Sequence, residues 1–318
     1  MQNRVSAIVM PRAAALPLAL ILALSVAEPA TARKAPPPPT GEIELDIGDP
    51  VVAVRINGVP FRLRVGLDQK NLVELNPAAA ARSGLPFEPG FAADVGRVSL
   101  PGIAATAQLD MAGRRTPVLV SSHGRDCCAG VDGAISPLLL PYARVRFMRY
   151  GAANQDDMRT FNMTGDDEHG LQVPTPIGPE QVYIAFSLDR ADSVASSSAG
   201  AILAKAHAGR LTGTGRETVA AFGIGRPART LTFGHAFTLA GFRFDRLTVR
   251  TADFAGHYDF PTDPAEPGDI VVKRRIRQQE AWPVILIGRD RLDRCSEIAF
   301  ATQTRALTLR CDFRAAIP

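Results

Sequence analysis

The sequence predicts a mainly β fold, built as two pseudo-symmetric β lobes with a few short helices. The first observation behind this prediction is a stretch that occurs twice, as FRLRVGLDQKNLVELNPAAAARSGL (61–85) and as YIAFSLDRADSVASSSAGAILAKAHAGRL (183–211). Each copy is a β-rich run that ends in Leu-Asp, followed by a polar turn and an alanine-rich helical stretch. The two aspartates, Asp68 and Asp189, lie 121 positions apart. We therefore expect two lobes that each present one carboxylate.

The second observation is the alternation of apolar and polar residues outside the repeat. EIELDIGDPVVAVRING (42–58) alternates as a half-buried antiparallel strand does, and TLTFGHAFTLAGFRFDRLTVRTAD (230–253) reads as short strands with glycine turns. Segments 94–100 and 103–111 indicate a further hairpin around Pro101-Gly102. We expect helix only at four places, which are 76–83, 136–141, 197–209 and 289–293.

The first residues have the order of a secretory signal peptide. Arg4 and Arg12 precede the apolar run 13–27, and Ala30-Thr31-Ala32 supplies a small-residue cleavage pattern. The apolar run is short for a stable membrane span, although an uncleaved anchor is the alternative. The sequence therefore predicts a signal peptide at 1–32 and a periplasmic or secreted protein.

Composition shifts divide the remaining chain. Pro36 to Pro39 indicate a stiff spacer at 33–40, and about 280 residues remain for the fold, enough for a sizeable core. The segments that follow are an N-terminal lobe at 41–150, a polar connector at 151–179 and a C-terminal lobe at 180–318. Residues 258–282 indicate an insertion that lengthens the C-terminal lobe.

The two lobes also end alike. VDGAISPLLLPYARVRF (131–147) and WPVILIGRDRLDRCSEIAF (282–300) match when Gly288 is placed on Ser136, an offset of 152 positions. In the first lobe VVAVRINGVPFRLRVGLD (51–68) has the form of a hairpin that turns at Asn57-Gly58 and leads to Asp68.

These motifs resemble the retropepsin/pepsin-like aspartic peptidases in their fused two-lobe form, over roughly residues 42–312. The resemblance implies that Asp68 and Asp189 meet between the lobes, where one carboxylate activates a water and the other, protonated, donates to the scissile carbonyl. It also implies a cleft for an extended peptide. The tyrosine of a pepsin-type flap is absent between Asp68 and Asp132.

The two active loops depart from the Asp-Thr-Gly of that family. They read Asp68-Gln69-Lys70 and Asp189-Arg190-Ala191, so both have lost the threonine and the glycine. Each turn is also one residue short, and an alternative register places Leu67 at the first catalytic position. Lys70 and Arg190 are expected to lower the pKa of the neighbouring carboxylates and to prevent the sharing of a proton. The sequence therefore predicts a degenerate, non-catalytic module that binds an extended peptide or partner protein, with an active aspartic endopeptidase using Asp68 and Asp189 as the alternative.

Other classes of function have little support in the sequence. The net charge is only +4, and the basic run at 273–277 has no aromatic interleaving, so we expect no nucleic-acid partner. No pair of His or Cys residues has zinc spacing, and the turn at 223–227 is not a dinucleotide fingerprint, so we expect neither a metal nor a cofactor. The oligomeric state is left open.

Four cysteines in an exported protein favour disulfide formation. Cys295 and Cys311 flank two strand-like runs joined near Gln303, which places them opposite one another and predicts a disulfide. For the adjacent Cys127 and Cys128, a strained vicinal disulfide and two reduced thiols are both open.

Overall fold

A computed structural model describes residues 38–95, 98–150, 157–166, 169–253 and 282–314. The strands are β1 (Glu42–Asp46), β2 (Val51–Ile56), β3 (Val59–Val65), β4 (Val73–Leu75), β5 (Glu88–Val95), β6 (Val98–Met111), β7 (Arg114–Ser122), β8 (Gly133–Ile135), β9 (Arg144–Met148), β10 (Asp157–Asn162), β11 (Thr164–Asp166), β12 (Gly170–Ile177), β13 (Glu180–Phe186), β14 (Val194–Ala195), β15 (Arg210–Ala221), β16 (Ile224–Leu239), β17 (Phe242–Arg250), β18 (Val284–Ile287), β19 (Cys295–Ala301) and β20 (Ala306–Cys311). The helices are α1 (Pro77–Arg82), α2 (Ser197–Ala206) and α3 (Arg289–Leu292), with a 3₁₀ turn at Pro137–Leu139. The predicted mainly β class with few helices is confirmed.

The first lobe is a seven-stranded sheet in the order β2-β3-β8-β4-β7-β6-β5. Its first hairpin turns at Asn57 and Gly58, which both have positive φ, as the two-residue turn between twisted strands requires. Along β2 and β3 exposed and buried residues alternate, so one face of the sheet packs on the core. The turn at Asn57-Gly58 is therefore where the sequence placed it.

The second lobe repeats this order with different strands. Its eight-stranded sheet runs β11-β12-β13-β18-β14-β17-β16-β15, and after β11 each strand has a counterpart in the first lobe with the same parallel or antiparallel pairing. Val65 pairs with Ile135 in the first lobe, and Phe186 pairs with Ile287 in the second. These pairs are related by the offsets of 121 and 152 found in the sequence. The two lobes are therefore pseudo-symmetric.

A third sheet joins the two lobes. It has five strands in the order β1-β9-β19-β20-β10, so strands that precede and follow each lobe lie side by side. Phe147 on β9 and Phe300 on β19 are fully buried in it. Cys295 and Cys311 face one another across β19 and β20 and form a disulfide.

Two local expectations differ from the structure. Pro101 and Gly102 lie inside β6, paired with β5, and do not form a turn; a bulge between Pro89 and Phe91 in β5 accommodates the irregular pair. The connector expected at 151–179 contributes β10, β11 and β12. Pro174 and Pro176 suggested a loop, but among the described strands β12 pairs beyond Val173 with β13 alone, and an edge strand tolerates missing N–H donors.

Several expectations lie outside the described residues. These are the signal peptide at 1–32, most of the spacer at 33–40, and the insertion at 258–282 with its basic run. Within the described ranges, no helix combines the length and the hydrophobicity needed to cross a membrane.

Candidate functional site

A cleft of about 670 Å³ lies between the two lobes. Its floor is formed by the loops that follow β3 and β13, and its two sides by the hairpins β5–β6 and β15–β16. Residues from each loop and each hairpin line it, including Asp68, Asp189, Phe91 and Val219. The structure therefore brings the two repeated Leu-Asp loops to one cavity.

Asp68 lies in the loop after β3, which is tightened by hydrogen bonds from Gln69 N to Gly66 O (3.3 Å) and from Leu72 N to Lys70 O (2.7 Å). Its side chain is half-buried. Loss of hydration in the cleft is the largest influence and raises the pKa of Asp68 above its usual value. The Ser187 hydroxyl and the Arg190 guanidinium lower this pKa by smaller amounts, and the charge of Asp189 adds to the rise.

Asp189 occupies the corresponding place in the second lobe, but its environment differs. Arg64 Nη1 lies 3.3 Å from Asp189 Oδ1, and the Asp189 side chain is 44% exposed. Loss of hydration raises the pKa of Asp189, and the charge of Arg64 opposes that rise. Arg64 lies on β3 of the first lobe, so this ion pair crosses from one lobe to the other.

The ion pair breaks the pseudo-symmetry of the site. The offset of 121 places Ala185 at the position in the second lobe that Arg64 occupies in the first. Ala185 has no charge, so Asp68 has no cation that corresponds to Arg64. Among the described residues no hydrogen bond joins the carboxylates of Asp68 and Asp189, although the charge of Asp189 acts on Asp68.

Arg190 lowers the pKa of both aspartates as expected, but the expected net shift was wrong. Lys70 and Arg190 were expected to lower the pKa of each aspartate, but the pKa of both is raised, because loss of hydration outweighs the attraction of nearby cations. Lys70 lines the cleft without an ion pair in the described part of the chain. Arg190 acts on both carboxylates through space and donates its hydrogen bond to Val219 O.

Ser187 was missed by the sequence reasoning. It follows β13 directly, and its N–H donates to Ile287 O at 2.9 Å, as the N–H of Gly66 donates to Ile135 O at 3.1 Å in the first lobe. Ser187 is fully buried and lines the cleft, and its hydroxyl interacts with Asp68 and lowers the pKa of that carboxyl. A serine that directly follows an apolar strand was the available signal.

A buried acid–imidazole pair was also missed. His123 is buried in the loop that follows β7, and its Nδ1 lies 2.9 Å from Glu74 Oε1. The Ser121 hydroxyl donates to the other oxygen of Glu74 at 2.5 Å. The His123 ring lies between Phe91 of the first lobe and Phe222 of the second, with ring centres at 5.4 and 5.1 Å. Because these contacts are long-range, the sequence pattern does not reveal them.

Cys127 and Cys128 line the cleft as free thiols. Asn76 fixes their backbone, accepting from Cys127 N at 2.9 Å and donating to Cys128 O at 2.8 Å. The pKa of Cys127 is raised far above its usual value. The largest cause is a hydrogen bond with the Cys128 thiol, and the second is burial. Of the two open alternatives, the structure has the reduced pair.

Comparisons with known proteins give matches among solved structures alone. Within the described ranges no group of three or more His, Cys, Asp or Glu side chains is arranged to hold a metal ion. No family model matches the sequence. No curated protein matches it either. Among solved structures, the chain is similar to EIAV protease complexed with the inhibitor HBY-793, at 12% identity and a TM-score of 0.24, covering 28% of this chain and 81% of that chain.

Proposed function

We propose that the protein is an exported aspartic-peptidase-like module that binds an extended peptide or protein segment in the interlobe cleft and has no general peptidase activity. The observation that carries the proposal is the Arg64–Asp189 ion pair at 3.3 Å, combined with the absence of a hydrogen bond between Asp68 and Asp189 in the described chain. A carboxylate dyad activates water only when its members share a proton at close range.

The sheet edges support binding of an extended segment. β5 ends the first-lobe sheet and β15 ends the second-lobe sheet, and residues of both strands line the cleft. An edge strand presents unpaired N–H and C=O groups to which a peptide adds as a further strand. Specificity then comes from the side chains between the two edges.

The loops support the loss of catalysis. The family's threonine and glycine, which order the two carboxylates, are replaced by Gln69 and Lys70 in one loop and by Arg190 and Ala191 in the other. A displacement of about 1 Å in a catalytic group costs roughly a hundredfold in rate. A cation that takes one carboxylate as its ion-pair partner adds to this cost.

The second candidate function is an active aspartic endopeptidase. It is favoured by the raised pKa of both Asp68 and Asp189, because a catalytic dyad needs one protonated carboxyl at its working pH. In that reading Asp68 would keep the proton and Asp189 would activate the water.

A peptide library assayed from acidic to neutral pH separates the two candidates. We expect saturable binding, measured by fluorescence anisotropy, without cleavage detectable by mass spectrometry. Cleavage with a bell-shaped pH profile that is lost in Asp189→Asn would establish the endopeptidase instead. Arg64→Met serves as a second variant, because freeing Asp189 should increase any residual cleavage if the ion pair is what prevents it.

Export belongs to the same proposal. The order of charge, apolar run and small residues at 1–32 supports it, and the Cys295–Cys311 disulfide is compatible with an oxidising compartment. N-terminal sequencing of the mature protein should begin at Arg33. A mature chain that keeps the apolar run would contradict export with cleavage.

A further inference from the structure

We propose that Arg190 and Arg250 form a carboxylate subsite at the second-lobe end of the cleft, which selects peptides that bring an acidic group there. This inference rests on the proposed function, because it names the kind of peptide that the cleft takes. Both side chains line the same cavity and act on one another electrostatically.

Arg250 is oriented by a buried carboxylate. Its Nε lies 2.8 Å from Asp253 Oδ1, and Asp253 is only 3% exposed. The other oxygen of Asp253 accepts from the N–H of Ser197, the first residue of α2, at 2.7 Å. Because the helix fixes Asp253, the guanidinium of Arg250 has a set direction. Its two terminal nitrogens have no hydrogen-bond partner among the described residues.

Arg190 is held from its backbone. Its carbonyl accepts from Arg289 N and the neighbouring carbonyl of Ala191 accepts from Asp290 N, both at 2.8 Å, at the start of α3. One terminal nitrogen of Arg190 donates to Val219 O on β15. In the described chain no carboxylate lies within ion-pair distance of Arg190, and its side chain lines the cleft.

Asp253 pairs with Arg250 through Nε, and two other carboxylates that line the cleft have arginine partners of their own. Asp189 is joined to Arg64, and Asp192 is joined to Arg216 at 3.3 Å. Asp68 acts on Arg190 through space but lies outside ion-pair distance of it, and burial raises the pKa of Asp68. Burial is also the main reason that the pKa of Arg190 and that of Arg250 are lowered.

Two desolvated cations near one another favour an anionic ligand. An anion that bridges them recovers the hydrogen bonds lost on burial, and a carboxylate matches the planar fork of a guanidinium with two parallel hydrogen bonds. In a peptide that carboxylate is a Glu or Asp side chain or the C-terminus.

The test is fluorescence anisotropy with the full chain and four forms of one labelled peptide. The forms carry Glu or Gln at a central position, each with a free or an amidated C-terminus. We expect the Glu peptide to bind about tenfold tighter than the Gln peptide in the amidated form. A preference that follows the free C-terminus instead would assign the same subsite to a terminal carboxylate.

Variants of both arginines complete the test. Arg250→Gln and Arg190→Gln should each reduce the preference, measured as the ratio of the affinities for the Glu and the Gln peptide in the same variant, to about twofold or less. Arg243→Gln is the matched control, because it removes the same charge from an exposed position on the same strand as Arg250. Equal affinity of the wild-type protein for all four forms would overturn the subsite and leave the proposed function standing. Absence of binding by every form would overturn the proposed function itself.

Discussion

Two aspartates with the same place in a repeat have different electrostatic partners. Arg64 neutralises Asp189, whereas the residue that corresponds to Arg64 in the other lobe is Ala185. Asp68 therefore keeps a proton more readily than an exposed aspartate does. The positions of both aspartates were predictable because the Leu-Asp motif is local. Their partners were not, because Arg64 and Asp189 are 125 residues apart in the chain.

Asp68→Asn should stabilise the folded protein at neutral pH. The pKa of Asp68 is higher in the folded than in the unfolded chain, so the folded state binds this proton more tightly. In the wild type, the protonated Asp68 side chain stabilises the fold below the unfolded pKa of about 3.9, and this stabilisation is lost as the pH rises through the folded pKa. The free energy of unfolding of Asp68→Asn relative to the wild type should therefore increase from pH 3 to pH 8, as measured by urea denaturation. Asp94→Asn, at an exposed position of β5, is the control, and a difference that falls with pH would refute the argument.

Arg64→Met should raise the pKa of Asp189 further. The charge of Arg64 is the largest influence that opposes the effect of lost hydration on this carboxyl. A ¹³C titration of the Asp189 carboxyl by NMR measures the change directly. Arg62→Met removes an exposed charge two residues earlier on β3 and should leave the titration of Asp189 where it is. The same titration curve in both variants would show that the 3.3 Å ion pair is not formed in solution.

At the scale of elements, the sequence predicted where most helices and strands lie. The four short helical stretches appear within a few residues of their expected positions, because alanine-rich runs and Pro or Ser caps are local signals. The disulfide was likewise placed by two strands that are adjacent in sequence. Pro101-Gly102 misled, because the pair usually marks a turn, whereas here both residues pair with β5, and β6 continues alongside β7 from Ile103.

Gly102→Ala should weaken the β5–β6 hairpin. A Cβ at this position would lie 2.6 Å from His123 Cδ2 and 2.8 Å from the carbonyl oxygen of Phe91, too close for either neighbour. His123 is fixed by Glu74, so relief requires movement of the backbone, and we expect a loss of about 1–3 kcal/mol in the free energy of unfolding. Gly215→Ala on β15, where no atom lies within 4 Å of the added Cβ, is the matched control. Equal urea midpoints for the two variants would contradict this close packing.

At the scale of the whole molecule, the five-stranded sheet joins the two lobes. Its strands come from the ends of both lobes, and Arg146 on β9 pairs with Glu297 on β19 at 2.7 Å. The mainly β class and the repeat could be predicted, because their patterns lie within each lobe. The five-stranded sheet could not be predicted from the sequence, because it pairs β1 with β9 and β9 with β19, which are far apart in the chain.

The two lobes should therefore unfold in a single transition. Trp282 is the only tryptophan and stacks on Tyr183 in the second lobe, so its fluorescence reports that lobe, whereas far-UV circular dichroism reports all strands. The two urea curves should coincide. In a Cys295→Ala/Cys311→Ala double variant both curves should shift together to lower urea. The free energy of unfolding should fall by about 3 kcal/mol, because the disulfide no longer closes a loop between cysteines 16 positions apart in the unfolded chain. A Trp282 curve that moves alone would show that the lobes unfold independently.

The paired thiols in the cleft wall make occupancy readable by chemical labelling. Cys127 is only partly covered, whereas Cys295 and Cys311 are oxidised and Cys128 is buried. A small alkylating reagent should therefore modify Cys127 first, and slowly at neutral pH, because little of it is thiolate. Any molecule that fills the cavity shields that sulfur. The rate of alkylation then becomes a footprint of the bound state, without a substituted residue or an attached dye.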